Sequence, residues 1–217
     1  MSTPFELFNA RNSALLVIDK QRAYMDPAVL AERGKTPPID FDTRLQQMAY
    51  LILSAREYDV PVIWTRMTES VDVSPPPIKK KMEADMRRGI VVIDSQRDSS
   101  QYRFYGQIVP DHDRGEVIVE KQHYDSFSNP SLANQLRIQD RQSVILIGGF
   151  TSRCVLGTAY GANNNDIHVL IAEDAVVNPR QYEDELDATR SIIDGVLGYH
   201  ASAEDIVTNW RKTQNSH

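Results

Sequence analysis

The sequence predicts an α/β fold of three layers, in which helices cover both faces of a mostly parallel sheet of five or six strands. Short, continuous apolar runs indicate strands that are buried on both faces, and segments with helical spacing lie between them. Because strands and helices alternate along the chain, helical crossovers join the strands and make them parallel. With 217 residues, the chain is long enough for one substantial domain.

Five segments are typical of strands, because each holds a short apolar run between polar or turn residues. They are 14–18, 60–64, 116–120, 143–147 and 167–172. The second contains Pro61, which a strand tolerates near its start. The fourth is followed by Gly148 and Gly149, which end it.

Helices are predicted where apolar residues recur at helical spacing. The first is predicted to begin at Asp42, a capping residue, and to end near residue 58. Further helices are predicted at 131–137, directly after Cys154, and over 182–197. The last helix begins at Ser202, where Asp205 three positions later resembles a capping box.

We expect residues 1–217 to form a single domain with a long, loop-rich insertion at about 68–115. The insertion contains three prolines at 75–77 and three lysines at 79–81. Long insertions in compact domains are usually lids or partner contacts, although a plain surface excursion is the alternative. An aromatic group at 102–105 could close over a site or pack against a neighbouring subunit.

Composition limits the partners and the compartment. The formal net charge of −6 and the pI near 5.4 argue against a nucleic-acid or an anionic-membrane surface. A single cysteine excludes an internal disulfide and suits a reducing compartment. No signal peptide is visible at the N-terminus, and no apolar stretch approaches membrane-spanning length. We therefore expect a cytoplasmic protein that acts on a small-molecule substrate.

Three side chains that could take part in catalysis are predicted at the ends of strands. Asp19 follows the first strand, Lys121 follows the third, and Cys154 follows the fourth after a short turn. The carboxyl ends of parallel strands share one edge of a sheet, where ligands bind. The sequence therefore predicts that these three side chains meet in one site.

Such a trio fits a cysteine hydrolase. Asp19 would take the thiol proton and later return it to a leaving amine. Lys121 and the start of the following helix would lower the pKa of the Cys154 thiol. The thiolate would attack a carbonyl carbon and form a thioester that water resolves. The backbone N–H groups of Phe150 and Cys154 would form the oxyanion hole.

The motifs resemble those of the isochorismatase-like cysteine hydrolases. The matching segments are 17–24, 119–127 and 148–159, which contain an Asp-x-Gln, a Lys with a Phe six positions on, and a Gly-rich turn before Cys-Val. The resemblance implies a Rossmann-like sheet and a catalytic triad of Asp19, Lys121 and Cys154. It also implies a cis peptide at Gly149–Phe150 and a homo-oligomer, either a dimer or a tetramer.

The sequence departs from the metal-dependent members of that family. Nicotinamidases of the family bind a metal through an aspartate and histidines, whereas residues 64–69 contain no histidine. The five histidines are scattered without a close pair at ligand spacing. His123 lies near Lys121 and is the one histidine that could see the pocket, but a packed or solvent-facing His123 is the expected case. We therefore expect no metal and no cofactor.

Residues beside the three motifs are candidates for binding the substrate: Tyr24, Arg66, Phe127, Gly149, Phe150 and Arg153. Arg66 and Arg153 could each fork onto a carboxylate or a carbamoyl oxygen. A structural ion pair is the alternative for both arginines. The aromatic rings could wall the pocket or simply belong to the core.

The preferred interpretation is a metal-independent hydrolase that cleaves a C–N bond of a small amide, ureido or carbamoyl compound through a thioester. One alternative is a vinyl-ether hydrolase of the isochorismatase type, in which Asp19 protonates the substrate and the thiol is a bystander. The other is a catalytically silent family member that acts as a binding protein.

Overall fold

The computed structural model describes residues 3–214 and has a six-stranded sheet at its centre. The spatial order is β3-β2-β1-β4-β5-β6, and every neighbouring pair is parallel. The predicted three-layer α/β fold is confirmed. The strands are β1 (Ser13–Ile18), β2 (Val62–Met67), β3 (Val117–Lys121), β4 (Ser143–Gly149), β5 (His168–Val177) and β6 (Tyr199–Ala201).

Helices fill both outer layers. They are α1 (Arg22–Met25), α2 (Pro27–Glu32), α3 (Phe41–Glu57), α4 (Pro76–Arg87), α5 (Pro130–Ile138), α6 (Leu156–Asn163), α7 (Leu186–Ile192) and α8 (Ala203–Gln214). Short π-helical segments precede α6 at Thr151–Val155 and follow α7 at Ile193–Leu197. Within residues 3–214, no helix is long and apolar enough to cross a membrane.

Two apolar clusters lie on opposite faces of the sheet. One joins α1, α2, α3 and α8 to the strands and includes the fully buried rings of Trp64 and Trp210. The other joins α5, α6 and the second π-helical segment to the strands, and Cys154 belongs to it. Because residues along β1 and β4 alternate between the two clusters, both faces of these strands are buried, as their apolar runs predict.

Several boundaries differ from the predicted ones. α3 begins at Phe41, so Asp42 lies in its first turn and does not cap it. β2 extends to Met67, three residues beyond the predicted end, because Thr65 is buried in the sheet in spite of its polarity. The capping box at Ser202 is present, since the Asp205 N–H donates to Ser202 Oγ at 3.1 Å.

Helices α1, α2 and α4 were not predicted. α2 is short and starts at Pro27, where the Asp26 side chain accepts a hydrogen bond from the Ala28 N–H. α4 lies inside the 68–115 segment and has prolines in its first turn. A proline run typical of a loop therefore forms the start of a helix here. Proline is tolerated at this position because the backbone N–H groups of the first turn have no partner within the helix.

The close contact between β1 and β4 depends on Gly148. Its φ is +107°, and a Cβ atom at this position would lie 2.1 Å from the carbonyl oxygen of Ile18. Ile18 and Gly148 are also paired in the register of the two strands. Only glycine fits here, so the last residues of β1 and β4 can lie side by side.

The far end of the 68–115 segment is fastened to the loop after β1. The Arg22 N–H donates to the Arg103 carbonyl at 2.8 Å, and the Tyr105 N–H donates to the Lys20 carbonyl at 2.8 Å. Gln21 donates to the carbonyls of Met67 and Tyr102, at 3.0 and 3.2 Å. The aromatic group at 102–105 thus packs against its own subunit.

Candidate active site

The direction in which successive strands are added to the sheet reverses between β1 and β4. From β1 the chain builds outward through β2 and β3, and from β4 it builds the other way through β5 and β6. Ligands in open α/β sheets bind in the crevice at such a switch point, beyond the carboxyl ends of the strands. Asp19 directly follows β1, and Cys154 lies in the π-helical segment after β4. Both therefore flank this crevice.

Asp19 and Lys121 form a fully buried ion pair. Lys121 Nζ lies 2.7 Å from Asp19 Oδ2, and neither side chain is exposed. Since β2 separates β1 from β3, Thr65 of β2 fills the gap: its hydroxyl donates to Asp19 Oδ1 at 2.8 Å and accepts from the Asp19 N–H at 3.1 Å. The structure thus brings together two residues that are 102 positions apart.

The surroundings of Lys121 keep it charged. Its ammonium also donates to the carbonyl oxygens of His123 and Tyr124, at 3.0 and 3.3 Å. Burial lowers the pKa of Lys121, but the negative charges of Asp19 and of a Cys154 thiolate outweigh burial, and the net direction is upward. An ammonium is therefore available beside the thiol throughout the neutral pH range.

The Cys154 side chain lies beside both members of the ion pair. The thiol is close enough to Asp19 and Lys121 for both charges to act on its pKa, and only 4% of the residue is exposed. The expectation of a lowered thiol pKa is wrong. Burial raises the pKa of Cys154, the Asp19 carboxylate raises it further, and Lys121 offsets only part of this. The resting thiol is therefore protonated at neutral pH, next to a carboxylate that can accept its proton.

The turn between β4 and Cys154 is anchored to the end of β5. The Gly149–Phe150 peptide is cis, as the family resemblance implies. Thr151 Oγ1 donates to the Val177 carbonyl at 3.0 Å, and the Ser152 N–H donates to Asn178 Oδ1 at 3.3 Å. These bonds fix the backbone that carries the N–H groups of Phe150 and Cys154.

A pocket of about 490 Å³ opens beside this cluster. Met67 and Tyr124 line it and also contact the Lys121 ammonium, through Met67 Sδ at 3.9 Å and the Tyr124 carbonyl at 3.3 Å. α4 and residues 90–93 form much of the opposite wall. The 68–115 segment therefore shapes a pocket that adjoins Lys121 through Met67 and Tyr124, although Asp19, Lys121 and Cys154 are not themselves among its lining residues.

Tyr24 and Phe150 lie where the sequence places them, next to the candidate catalytic residues. Their rings meet edge to face with centroids 5.8 Å apart. Burial raises the pKa of Tyr24 well above its usual value, and the charges of Glu69, Asp19 and Cys154 act in the same direction. Tyr24 also donates to Glu69 Oε2 at 3.4 Å. Gly149 packs closely against Val177, with no room for a Cβ atom.

The other three candidate substrate-binding residues are occupied elsewhere. The Arg66 guanidinium lies over the rings of Tyr102 and Phe104, at 4.1 and 4.2 Å. Arg153 pairs with Glu185 through two hydrogen bonds. Phe127 is buried in the apolar cluster with α5 and α6. Stacking, an ion pair and the core hold these three side chains. None of the six candidate substrate-binding residues, Tyr24, Gly149 and Phe150 included, is among the residues that line the pocket.

The pocket has polar residues that the sequence did not single out for substrate binding. Those on its wall include Arg33, Lys35, Glu69, Lys81, Tyr124 and Tyr182. His123 also lines the pocket, although a packed or solvent-facing side chain was expected there. Glu69 lies two residues after β2, so it lies at the carboxyl end of a strand, as Asp19 and Lys121 do. Glu69 would have been found if the end of β2 had been predicted at Met67.

The residues at the end of β2 do not resemble a metal site. Met67, Thr68 and Glu69 stand where the resemblance to nicotinamidases would require histidine ligands. Across residues 3–214, no group of three or more His, Cys, Asp or Glu side chains is arranged to hold a metal ion.

The sheet order and the helical layers place the protein in the three-layer α/β class, and comparison with known proteins gives the family. The chain belongs to the isochorismatase family, whose domain model ("Isochorismatase domain") matches residues 13–194. This family assignment makes the protein a member of a hydrolase family. It also agrees with the resemblance found in the sequence motifs.

Individual relatives support the same assignment. A maleamate amidohydrolase of Pseudomonas putida is 26% identical over 202 residues, covering 93% of this chain and 88% of the relative. A cysteine hydrolase structure from Pseudomonas syringae pv. phaseolicola aligns with a TM-score of 0.77 at 20% identity, covering 94% of both chains. An N-carbamoylsarcosine amidase structure from Thermoplasma acidophilum aligns with a TM-score of 0.68 at 18% identity, covering 89% of this chain and 97% of that one. The two structures show a shared fold.

Proposed function

We propose that the protein is a metal-independent cysteine hydrolase that cleaves a C–N bond of a small amide, ureido or carbamoyl compound. The observation that carries the proposal is the buried ion pair of Asp19 and Lys121 at the carboxyl edge of the sheet, with the buried Cys154 thiol close enough for both charges to act on it. These are the nucleophile, the general base and the cation that acyl transfer to sulfur requires. A single cysteine with this role must stay reduced, which fits a cytoplasmic protein.

The first half-reaction follows from the contacts. As Cys154 Sγ bonds to the carbonyl carbon of the substrate, the thiol proton passes to Asp19. Lys121 stabilises the negative charge that develops during this transfer. When the C–N bond breaks, Asp19 returns the proton to the leaving nitrogen, and an amine or ammonia departs. The acyl group remains on sulfur as a thioester.

The second half-reaction repeats the proton transfers with water. Asp19, again a carboxylate, takes a proton from the attacking water, and the C–S bond breaks. The proton returns to the sulfur, and the product leaves as a carboxylate or a carbamate. In both halves the N–H groups of Phe150 and Cys154 would bind the oxyanion, and the hydrogen bonds from the turn to Val177 and Asn178 hold this backbone in place.

The charges of the pocket favour a substrate with an anionic group. Arg33, Lys35 and Lys81 lie on its wall, against the carboxylates of Glu69 and Asp85. Asp85 is paired with Lys81, whereas Arg33 and Lys35 form no salt bridge with any residue of 3–214 and could meet a carboxylate of the substrate. The maleamate amidohydrolase relative is named for an amide that carries such a carboxylate. We therefore place a small carboxylate-bearing amide or ureido compound in this pocket.

The decisive experiment is the Cys154→Ala variant. We expect it to lose turnover of a panel of carboxylate-bearing amides, maleamate included, by about a thousandfold or more, because the thioester cannot form. Release of ammonia provides the measurement, and dialysis of the wild-type protein against EDTA should leave its rate unchanged. Retained ammonia release in Cys154→Ala would reject the thioester. A wild-type protein that releases no ammonia but hydrolyses a vinyl ether, with or without Cys154, would favour the isochorismatase-type reaction with Asp19 as the acid. A wild-type protein without any turnover would favour a silent binding protein.

A further inference from the structure

Glu69 lies on the pocket wall and is held by a buried serine. The Glu69 N–H donates to Ser95 Oγ at 2.9 Å, and the Glu69 carbonyl accepts from the Ser95 N–H at 2.8 Å and from its hydroxyl at 3.2 Å. Ser95 is fully buried. These three hydrogen bonds fix the Glu69 backbone, and Glu69 lines the pocket together with Met67 and Tyr124, the two residues that also contact Lys121.

The Glu69 carboxylate is desolvated and poorly partnered. Burial raises its pKa, and Arg33, the Tyr24 hydroxyl and Lys121 offset this only in part. Among the residues that the structure describes, its side chain has one hydrogen bond, the 3.4 Å contact from Tyr24, and no salt bridge. A carboxylate offers about four acceptor sites, so most of the capacity of Glu69 is unused.

The position of Glu69 relates it to the reacting atoms. The hydroxyl of Tyr24 contacts Glu69, while the ring of Tyr24 packs on Phe150 of the turn that precedes Cys154. The charge of Glu69 is also close enough to Asp19 and Lys121 to interact with both. A group attached to the scissile carbonyl would therefore lie within reach of the Glu69 carboxylate.

We propose that Glu69 is a specificity-determining residue, which accepts a hydrogen bond from a neutral N–H group that the substrate carries next to its scissile carbonyl. This inference rests on the proposed function, because it assumes a carbonyl held over Cys154. A cationic donor is disfavoured by Arg33 and Lys121, whose charges already act on this carboxylate, and by Lys35 on the same pocket wall. The substrate class is thus narrowed to ureido compounds, H₂N–CO–NH–R, over simple amides, H₂N–CO–CH₂–R.

Two compounds of nearly equal shape test this proposal. N-carbamoylglycine and succinamate both carry a terminal carboxylate and a primary carbamoyl group, and they differ by an NH in place of a CH₂. We expect the wild-type kcat/KM to favour N-carbamoylglycine by about tenfold or more, since a site built to accept a hydrogen bond discriminates against an analogue without the donor. Glu69→Gln should lower this ratio, and Glu69→Leu should bring it close to one.

Asp85→Asn is the matched control, because it removes the other carboxylate on the pocket wall and should leave the ratio unchanged. A wild-type ratio near one, or the same fall in ratio for Asp85→Asn, overturns the role of Glu69. If both compounds are hydrolysed equally and Cys154→Ala abolishes both reactions, only the Glu69 proposal fails. If neither compound is hydrolysed by the wild type or bound by Cys154→Ala in calorimetry, both proposals fail.

Discussion

At the scale of single residues, the Cys154 thiol lies between two charges that act on its pKa in opposite directions. Asp19 raises the pKa and Lys121 lowers it, while burial raises it further. A thiol in this setting is unreactive until a substrate arrives, because only the thiolate is a strong nucleophile. In the proposed mechanism Asp19 would therefore both suppress reaction of the free thiol and act as the general base.

The opposed effects of Asp19 and Lys121 predict that two variants change the alkylation rate of Cys154 in opposite directions. Lys121→Met should raise the thiol pKa and slow labelling by iodoacetamide, whereas Asp19→Asn should lower the thiol pKa and speed labelling. Each unit of pKa changes the thiolate fraction about tenfold at a pH below the pKa. Mass spectrometry of the labelled protein between pH 7 and pH 9 gives the rates.

In the wild type the labelling rate should rise with pH across this range, because the thiol pKa lies above it. Asp85→Asn removes a charge outside the buried cluster and should label as the wild type does. Equal rates in Lys121→Met and the wild type would argue against Lys121 as a stabiliser of the thiolate. Circular dichroism establishes that each variant is folded.

At the scale of elements, the ends of β1 and β4 lie side by side because residue 148 is a glycine. Their contact brings Asp19 and the turn before Cys154 to opposite sides of one crevice. A side chain at 148 would collide with the backbone of Ile18, which has no freedom to move inside a paired strand. The geometry of the site therefore depends on the packing of two strands.

Replacement of Gly148 by alanine should destabilise the fold by about 3 kcal/mol or more, because backbone strain and a steric clash act together. Gly34→Ala is the matched control. Gly34 also has a positive φ, +65°, but a Cβ atom there meets nothing within 4 Å. Its cost should be about 1–2 kcal/mol from strain alone. Urea unfolding measures both, and equal losses would show that the contact with Ile18 can relax.

Apolar runs predict the buried strands well, since β1 and β4 are almost purely aliphatic. Side chains that follow such strands, as Asp19 does, could therefore be assigned to one edge. The end of β2 was harder to predict, because Thr65 is polar, although its hydroxyl donates a hydrogen bond to Asp19 inside the sheet.

The placement of Arg66 could not be predicted, because its partners Tyr102 and Phe104 reach it through folding of a distant segment. The thiol pKa was predicted in the wrong direction for a related reason. Sequence shows which charges could meet Cys154, but its burial depends on the complete tertiary structure.

At the scale of the whole molecule, we propose that the chain forms a homo-oligomer, either a dimer or a tetramer. Exposed apolar residues cluster in the 68–115 segment: Val73, Met86, Ile90 and Val91 are 41–54% exposed. Apolar groups of this kind favour association, because their burial removes them from water.

Sedimentation at about micromolar concentration should give a multiple of the 24.6 kDa chain mass. Val91→Lys should shift the mass toward one chain, because a buried charge opposes association. Ile138→Lys changes an exposed apolar residue of α5 and is the control. A single-chain mass at every concentration would contradict the proposal.

The loop after β1 ties the active site to the order in which the chain is made. Asp19 pairs with Lys121, Lys20 donates to the carbonyls of Tyr105 and Ile108, and Gln21 bonds to Met67 and Tyr102. All these partners leave the ribosome later, at about 5–20 residues per second. Without them, Lys20 and Gln21 would be buried without their partners and Asp19 would lack its countercharge, which is costly. The final hydrogen bonds of this loop can therefore form only after β3 has been made. The Cys154 thiol is synthesised later still, so the three candidate catalytic groups can assemble only when most of the chain exists.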